Sequence, residues 1–190
     1  TDDTASTLEY LQGSDEGTAD DIAVGSVLEV VLDEDNQAVS VTVRNLNAGG
    51  GFGGSGEVTS GTSANTITED TEVDSETYTS TGDDENALRV DGATVTLKDI
   101  TIEKTAGSSS NTEDGDFYGQ NAGLLVLNGA TATITGATVG TSVTNGNGVF
   151  SYGEGTVVNI SDSIIRTTEN NSGGIQTTGG GTMNATNLDV

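Results

Sequence analysis

"NGATATITGATV", residues 128–139, sets apolar side chains two apart, places Thr between them and carries no charge. A period of two describes a strand with one face for a core and one for water. "DGATVTLKDITI" at 91–102 repeats the phrase, and "GTVVNISDSII" at 155–165 and "GTMNATNLDV" at 181–190 repeat it more loosely. Such self-similarity marks a stacked repeat, in which no unit buries its own apolar row and neighbours bury it for each other.

Aligning the copies by their apolar residues gives columns. Leu88, Leu125, Phe150 and Ile175 form the first, with Val90, Leu127, Tyr152 and Thr177 two residues on. Val95, Ala132, Val158 and Met183 follow, then Leu97, Ile134, Ile160 and Ala185. The last two are Ile100, Ala137, Ser163, Leu188 and Ile102, Val139, Ile165, Val190. Each copy holds three short strands, and the extra residues between two copies fall in "EKTAGSSSNTEDGDFYGQ" at 103–120. Three strands per circuit, each pairing in parallel with its counterpart one coil away at ~4.8 Å, make a right-handed parallel β-helix of about 25 residues per coil. The fold class is therefore all-β. Val73 and Tyr78 lie in step with Leu97 and Ile102, so 57–85 is expected to supply an incomplete first coil.

Composition agrees. The 190 residues include 28 Gly and no Pro, Cys, His or Trp, and abundant Thr, Val and Ile favour strands joined by Gly and Asn turns. Thirty acidic residues against five basic ones give a formal net charge of −25. That charge repels phosphate backbones and anionic membrane surfaces, so no nucleic acid is expected as partner. It also suits a salty habitat or a solubilised β surface. No apolar run approaches the ~20 residues of a spanning helix, so no membrane insertion is expected. A start at Thr1 without Met reads as a mature or trimmed piece of a secreted or cell-surface protein.

Ahead of the repeats, residues 1–20 carry too little apolar material for an element of their own. Val27 to Leu32 and Ala38 to Val43 alternate as the strands of a hairpin, with "DEDN" at 33–36 as its turn. The expected organisation is a hairpin segment over 1–46, a Gly-rich linker over 47–56 and the β-helix over 57–190. The last rung reaches Val190 in register without a cap, and solenoids need one. Continuation beyond Val190, or end-to-end self-association through the open coil, is the expectation.

"ENALRVDGATVTLKDITIEKTAG", "DFYGQNAGLLVLNGATATITGATV" and "GNGVFSYGEGTVVNISDSIIRTT" resemble the adhesin-like right-handed β-helix surface proteins of gut and other anaerobic bacteria, within the pectate-lyase-like solenoid group. The likeness covers about 85–190. It implies a secreted or wall-attached, modular protein that binds glycans, host surfaces or other cells. The hairpin similarly looks like the end of a small β-barrel module.

The same group holds lyases and hydrolases, and their chemistry is testable on the residues. Lyases of this shape need an Arg base and clustered Asp holding Ca²⁺. On the alignment above, the outward places of the first column are Arg89 and Asp91, Val126 and Asn128, Ser151 and Gly153, Gln176 and Thr178. Arg89 with Asp91 reads as a surface pair. Hydrolases need two or three facing carboxylates, and the matching rungs carry Asn and Gly. Without His or Cys, a Ser-His triad, a thiol nucleophile and a Cys/His zinc centre drop out. The chain is expected not to be an enzyme; catalytic coils outside it are the alternative.

The 103–120 insertion is the main binding candidate, because a loop thrown out of a regular coil costs little and is where solenoids place binding groups. Glu113, Asp114, Asp116, Phe117, Tyr118 and Asn121 are its candidate ligand-binding residues. A ring that stacks on a sugar face beside carboxylates that take hydroxyl protons suits glycan recognition. The competing and favoured reading folds Phe117 and Tyr118 back onto the solenoid wall. No cofactor is expected apart from Ca²⁺, for which Asp114 and Asp116 in "NTEDGD" and Asp83 and Asp84 in "TGDDEN" are weak candidates, with "DEDN" at 33–36 a third. Each such acidic turn reads more simply as solvated.

Overall fold

The computed structural model describes residues 59–190 in full and, before them, the backbone pairing of four strands. The chain divides into two compact units, Thr1–Glu57 and Val58–Val190.

In the first unit, β3 (Ser26–Leu32) and β4 (Ala38–Asn45) pair antiparallel with Val30 opposite Val41, as the alternation predicts. The opening residues depart from expectation, because β1 (Glu9–Gln12) pairs parallel to β4 and β2 (Asp15–Glu16) antiparallel to β1. The sheet order is β2-β1-β4-β3. A polar segment can do this because the open edge of β4 offers backbone donors and acceptors whatever side chains pair with it. The "DEDN" turn and the 47–56 stretch lie outside the described residues.

The second unit is a parallel β-helix of about five coils. Its first wall stacks β6 (Thr66–Ile67), β10 (Leu88–Asp91), β13 (Leu124–Leu127), β16 (Val149–Tyr152) and β18 (Ile175–Thr178), all parallel. The second wall runs β7 (Thr71–Asp74), β11 (Thr94–Lys98), β14 (Thr131–Thr135), the first half of β17 (Val157–Thr167) and β19 (Thr182–Asp189). The third holds β8 (Thr77–Ser80), β12 (Thr101–Lys104), β15 (Thr138–Thr141) and the second half of β17. Residues 62–80, where an incomplete coil is expected, supply a short strand to every wall. A further short pair, β5 (Thr62–Ser63) with β9 (Glu85–Asn86), flanks them.

Register follows the sequence columns on the second and third walls. Val73, Leu97, Ile134, Ile160 and Ala185 are successive Cα partners, as are Tyr78, Ile102, Val139 and Ile165. Between these walls each coil turns on one left-handed residue: Ser75, Asp99, Gly136, Asp162 and Asn187, with φ of 61°, 52°, 71°, 50° and 52°. Asp, Asn and Gly dominate the column because they tolerate that conformation. Asn187 Nδ2 also donates to Asp162 Oδ1 at 2.6 Å, joining two coils at the bend.

The first wall corrects the alignment by one residue. Leu88 pairs with Leu124, Val149 and Ile175, not with Leu125 and Phe150, while Val90 pairs with Val126, Ser151 and Thr177. Leu88, Leu124, Val126 and Val149 belong to the lumen core, whereas Leu125, Leu127 and Phe150 form a separate buried cluster with Ala122. This wall is apolar on both faces in the middle coils, so alternation carries no parity there. The cause is a cover on the outside of this wall.

The lumen is closed and apolar at mid-height, where Val95, Leu97, Ile102, Ala132, Ile134, Val139, Val158, Ile160 and Ile165 are buried. Ile67, Val73 and Tyr78 in the first coil and Ile175, Met183 and Leu188 in the last are only partly buried, since each has a coil on one side alone. Truncating Ile134 to Ala is expected to cost about 2–5 kcal/mol, and truncating its outward neighbour Thr133 under about 0.5 kcal/mol. Urea denaturation of both variants measures the difference.

Candidate functional site

The insertion folds as a helix. Asn111 caps α1 (Thr112–Tyr118), its Oδ1 accepting from the Glu113 and Asp114 amides at 3.0 and 3.5 Å. Glu113 and Asp114 complement the dipole in the first turn. Gly119 ends the helix in the left-handed region at φ 71°. A Cβ there would press on Leu125 Cδ1 at 2.7 Å and Phe150 Cγ at 2.9 Å, so Gly119 permits both the turn and the close approach to the wall.

Seven residues are too few for a helix to persist on propensity alone; side chains of the coils hold this one. Its last carbonyls lack intrahelical partners. Asn147 Nδ2 donates to Gly115 O at 3.3 Å, Gln176 Nε2 to Asp116 O at 2.6 Å and Thr178 Oγ1 to Phe117 O at 2.5 Å. Asn86 Nδ2 donates to Gly119 O at 2.9 Å and to Ala122 O at 3.2 Å. At the start of the helix, Asn145 Nδ2 donates to Thr112 O at 3.2 Å and Asp116 Oδ1 at 2.8 Å. Donors from three different coils thus close over one helix.

The two aromatic residues separate. Tyr118 is 6% exposed and stands edge-on to Tyr152, with ring centroids 5.4 Å apart and planes at 82°. Phe117 is 42% exposed. The fold-back reading therefore holds for Tyr118 and not for Phe117, whose neighbouring position on a short helix points it the other way. Glu113 is exposed, Asp114 and Asp116 are half-buried, and Asn121 is buried. Burial pushes the Asp114 carboxyl up, with Asp84 and Glu113 adding repulsion against the Asn111 hydrogen bond. Burial likewise raises Asp116, opposed by the bond from Asn145.

Asp83 and Asp84 order the insertion's backbone. Asp83 Oδ1 accepts from Ser108 N at 2.6 Å, and Asp84 Oδ1 from Ser110 N at 2.7 Å. With Glu85 they act electrostatically on Lys104, which is fully buried and whose Nζ donates to Ser80 Oγ at 3.2 Å and Gly82 O at 2.5 Å. Burial lowers the Lys104 pKa, and the three acids act against that shift. Among the described residues no three carboxylates gather as a metal-ligating group, and no helix is long and apolar enough to cross a membrane.

The corrected register also changes the outward ranks of the first wall to Arg89, Leu125, Phe150, Gln176 and Asp91, Leu127, Tyr152, Thr178. Arg89 does not pair off with Asp91 as expected. Its guanidinium donates to Asn86 Oδ1 at 2.8 Å and to the carbonyls of Ser60, Gly61 and Thr62, so it clamps the first coil to the second. Asp91 Oδ1 accepts from Asn128 Nδ2 at 2.7 Å instead.

Asn86, Asn145, Asn147 and Gln176, which carry the insertion's attachment, and the buried Lys104 beside it escape a reading of the sequence. Their only signal is polarity at lumen or wall positions, and a turn-rich chain is full of Asn. No family model matches the chain, and neither the curated proteins nor the solved structures yield a match.

The raised carboxyls set a sign for pH. A group whose folded pKa lies above its unfolded value binds protons more readily in the folded state, so stability falls as pH rises through that window. Asp114 and Asp116 are partly solvated, so the effect is modest. Amide exchange of residues 112–118 is expected to be better protected just above the ordinary carboxylate range than at neutral pH, after correction for intrinsic exchange rates. Asp114→Asn/Asp116→Asn should flatten that difference.

Proposed function

We propose that this chain is a non-catalytic, extracellular binding and display module whose ligand is a glycan, engaged on the outer face of the first wall beside α1. The observation that carries the reading is Phe117, an exposed aromatic ring on a helix fixed by side chains from several coils. Stacked parallel coils form a stiff support, and a support of that kind keeps such a ring at a fixed place and orientation.

A pyranose presents one apolar face of C–H groups and a rim of hydroxyls, and an exposed ring flanked by oxygen acceptors complements both. Glu113 lies one turn before Phe117 on α1 and is exposed, and Thr178, whose hydroxyl donates to the Phe117 carbonyl, is the strand partner of the half-buried Tyr152. Preorganisation favours binding because no loop must be ordered when the ligand arrives. Net charge points the same way, since neutral or cationic ligands are not repelled by −25.

Removing residues 105–118 would strip the cover from Leu125 and Phe150 and confuse lost binding with lost stability. Phe117→Ala separates the two. On a glycan array it is expected to lose about tenfold or more in affinity, by the ~1–3 kcal/mol typical of a stacked ring, with its melting temperature unchanged. Equal binding by the parent and Phe117→Ala would remove the site, and absence of binding to any glycan by the parent would remove the ligand class.

A further inference from the structure

Residues 58–190 hold eighteen carboxylate side chains and four cationic ones, Arg89, Lys98, Lys104 and Arg166. Each of the four is engaged within the chain. Arg89 is held by Asn86 Oδ1 and the carbonyls of Ser60, Gly61 and Thr62, and Lys104 is buried against Ser80 and Gly82. Lys98 Nζ lies 3.5 Å from Asp74 and 3.8 Å from Asp99. Arg166 Nη2 lies 2.6 Å from Asp189 Oδ2. Among the described residues, the acids of α1 therefore have no ion-pair partner.

Glu113 is the exposed acid of that helix. It precedes Phe117 by four residues, a spacing that sets two side chains on the same side of a helix, one turn apart. After burial, which is the larger cause, the Glu113 charge raises the carboxyls of both Asp114 and Asp116. Glu113 thus stands within electrostatic reach of two like charges, beside an exposed aromatic ring, with no cation of its own. No three acids among the described residues gather as a metal-ligating group, so the complement this surface lacks is an organic cation rather than a chelated ion.

A pyranose with a free amine supplies two things at once: a C–H face for the Phe117 ring and an ammonium for the Glu113 carboxylate. An ammonium close to an aromatic face is also attracted by the ring quadrupole. A uronic acid would instead bring another anion to a negative surface.

We propose that the glycan is one with free amino groups, such as an oligomer of glucosamine, with Phe117 as the stacking ring and Glu113 as the carboxylate that selects the ammonium. The inference rests on the glycan reading above and adds the charge class of the ligand. N-Acetylation cancels the positive charge and keeps the sugar ring, so it is the discriminating change. Both charged partners are exposed, so the preference for the amine weakens in salt. It also falls as pH rises past the amine's own pKa, because the ligand then loses its charge while the Glu113 carboxylate keeps its own.

Calorimetric titration of the full chain with glucosamine oligomers, N-acetylglucosamine oligomers of equal length and oligogalacturonate tests this. The expected order of affinity is amino, then acetylated, then uronate. Glu113→Gln should weaken the amino oligomer about threefold to fivefold, the scale of an exposed ion pair, and leave the acetylated one unchanged. Glu113→Asp keeps the charge and should keep the preference, which separates a charge effect from a disturbed helix. Glu72→Gln/Glu76→Gln, exposed on the first coil, should change nothing; an equal loss in that pair would mark a diffuse attraction and overturn the proposal. Equal affinity for the amino and acetylated oligomers would also overturn it, while leaving the glycan site in place. Binding of oligolysine that matches the amino oligomer and ignores Phe117→Ala would replace the sugar with a cationic peptide. Binding of none of the oligomers would remove this inference together with the glycan reading.

Discussion

Parallel pairing between successive coils is the constraint on which the rest of this structure depends. Each strand satisfies its backbone from the coil below and the coil above, so a slip of one residue would turn a whole rank of side chains inside out. On the second wall such a slip would set Thr133 and Asn159 in the lumen and Ile134 and Ile160 in water. The column of left-handed residues from Ser75 to Asn187 fixes the same register from outside the core, because the bend must fall at one place in every coil.

The first wall obeys the same pairing under a different rule. It is covered on both sides, by the lumen within and α1 without, and so its strands read "LLVL" and "VFSY" where the others alternate. A short helix with few residues of its own to bury is held by amide and hydroxyl donors from coils above and below it. The arrangement anchors the solenoid's largest irregularity to its wall, with Tyr118 buried and Phe117 in solvent. The acids at 83–85 complete the attachment from the second coil by balancing Lys104 and ordering the insertion's backbone.

What could be read from the sequence follows from this difference. "TATIT" and "TVTLK" state their parity outright, since Thr and Lys face water and only Val, Ala, Leu and Ile face in. Leu124 and Leu125 state none, since both neighbours are apolar and only the pairing with Leu88 tells which faces in. The helix at 112–118 was hidden because its apolar content is two aromatic residues, and what stabilises it lies on residues 86, 145, 147, 176 and 178, far away in the chain. Lys104 was hidden for the opposite reason: its position in a strand column looked like that of Thr141, and a lysine in a lumen contradicts the expectation for that residue. The strands at 9–16 were missed because an edge partner, not apolar content, made them.

The most direct measurement is a set of nuclear Overhauser contacts from the methyl groups of Leu124 and Leu125 in the intact chain. The structure predicts that Leu124 reports to Leu88 and Val149 within the lumen, and that Leu125 reports to the Phe150 ring and to Gly119 beneath the helix. Contacts from Leu125 to Leu88 and the lumen residues, with Leu124 turned outward, would contradict the two-faced wall and the placement of α1 upon it.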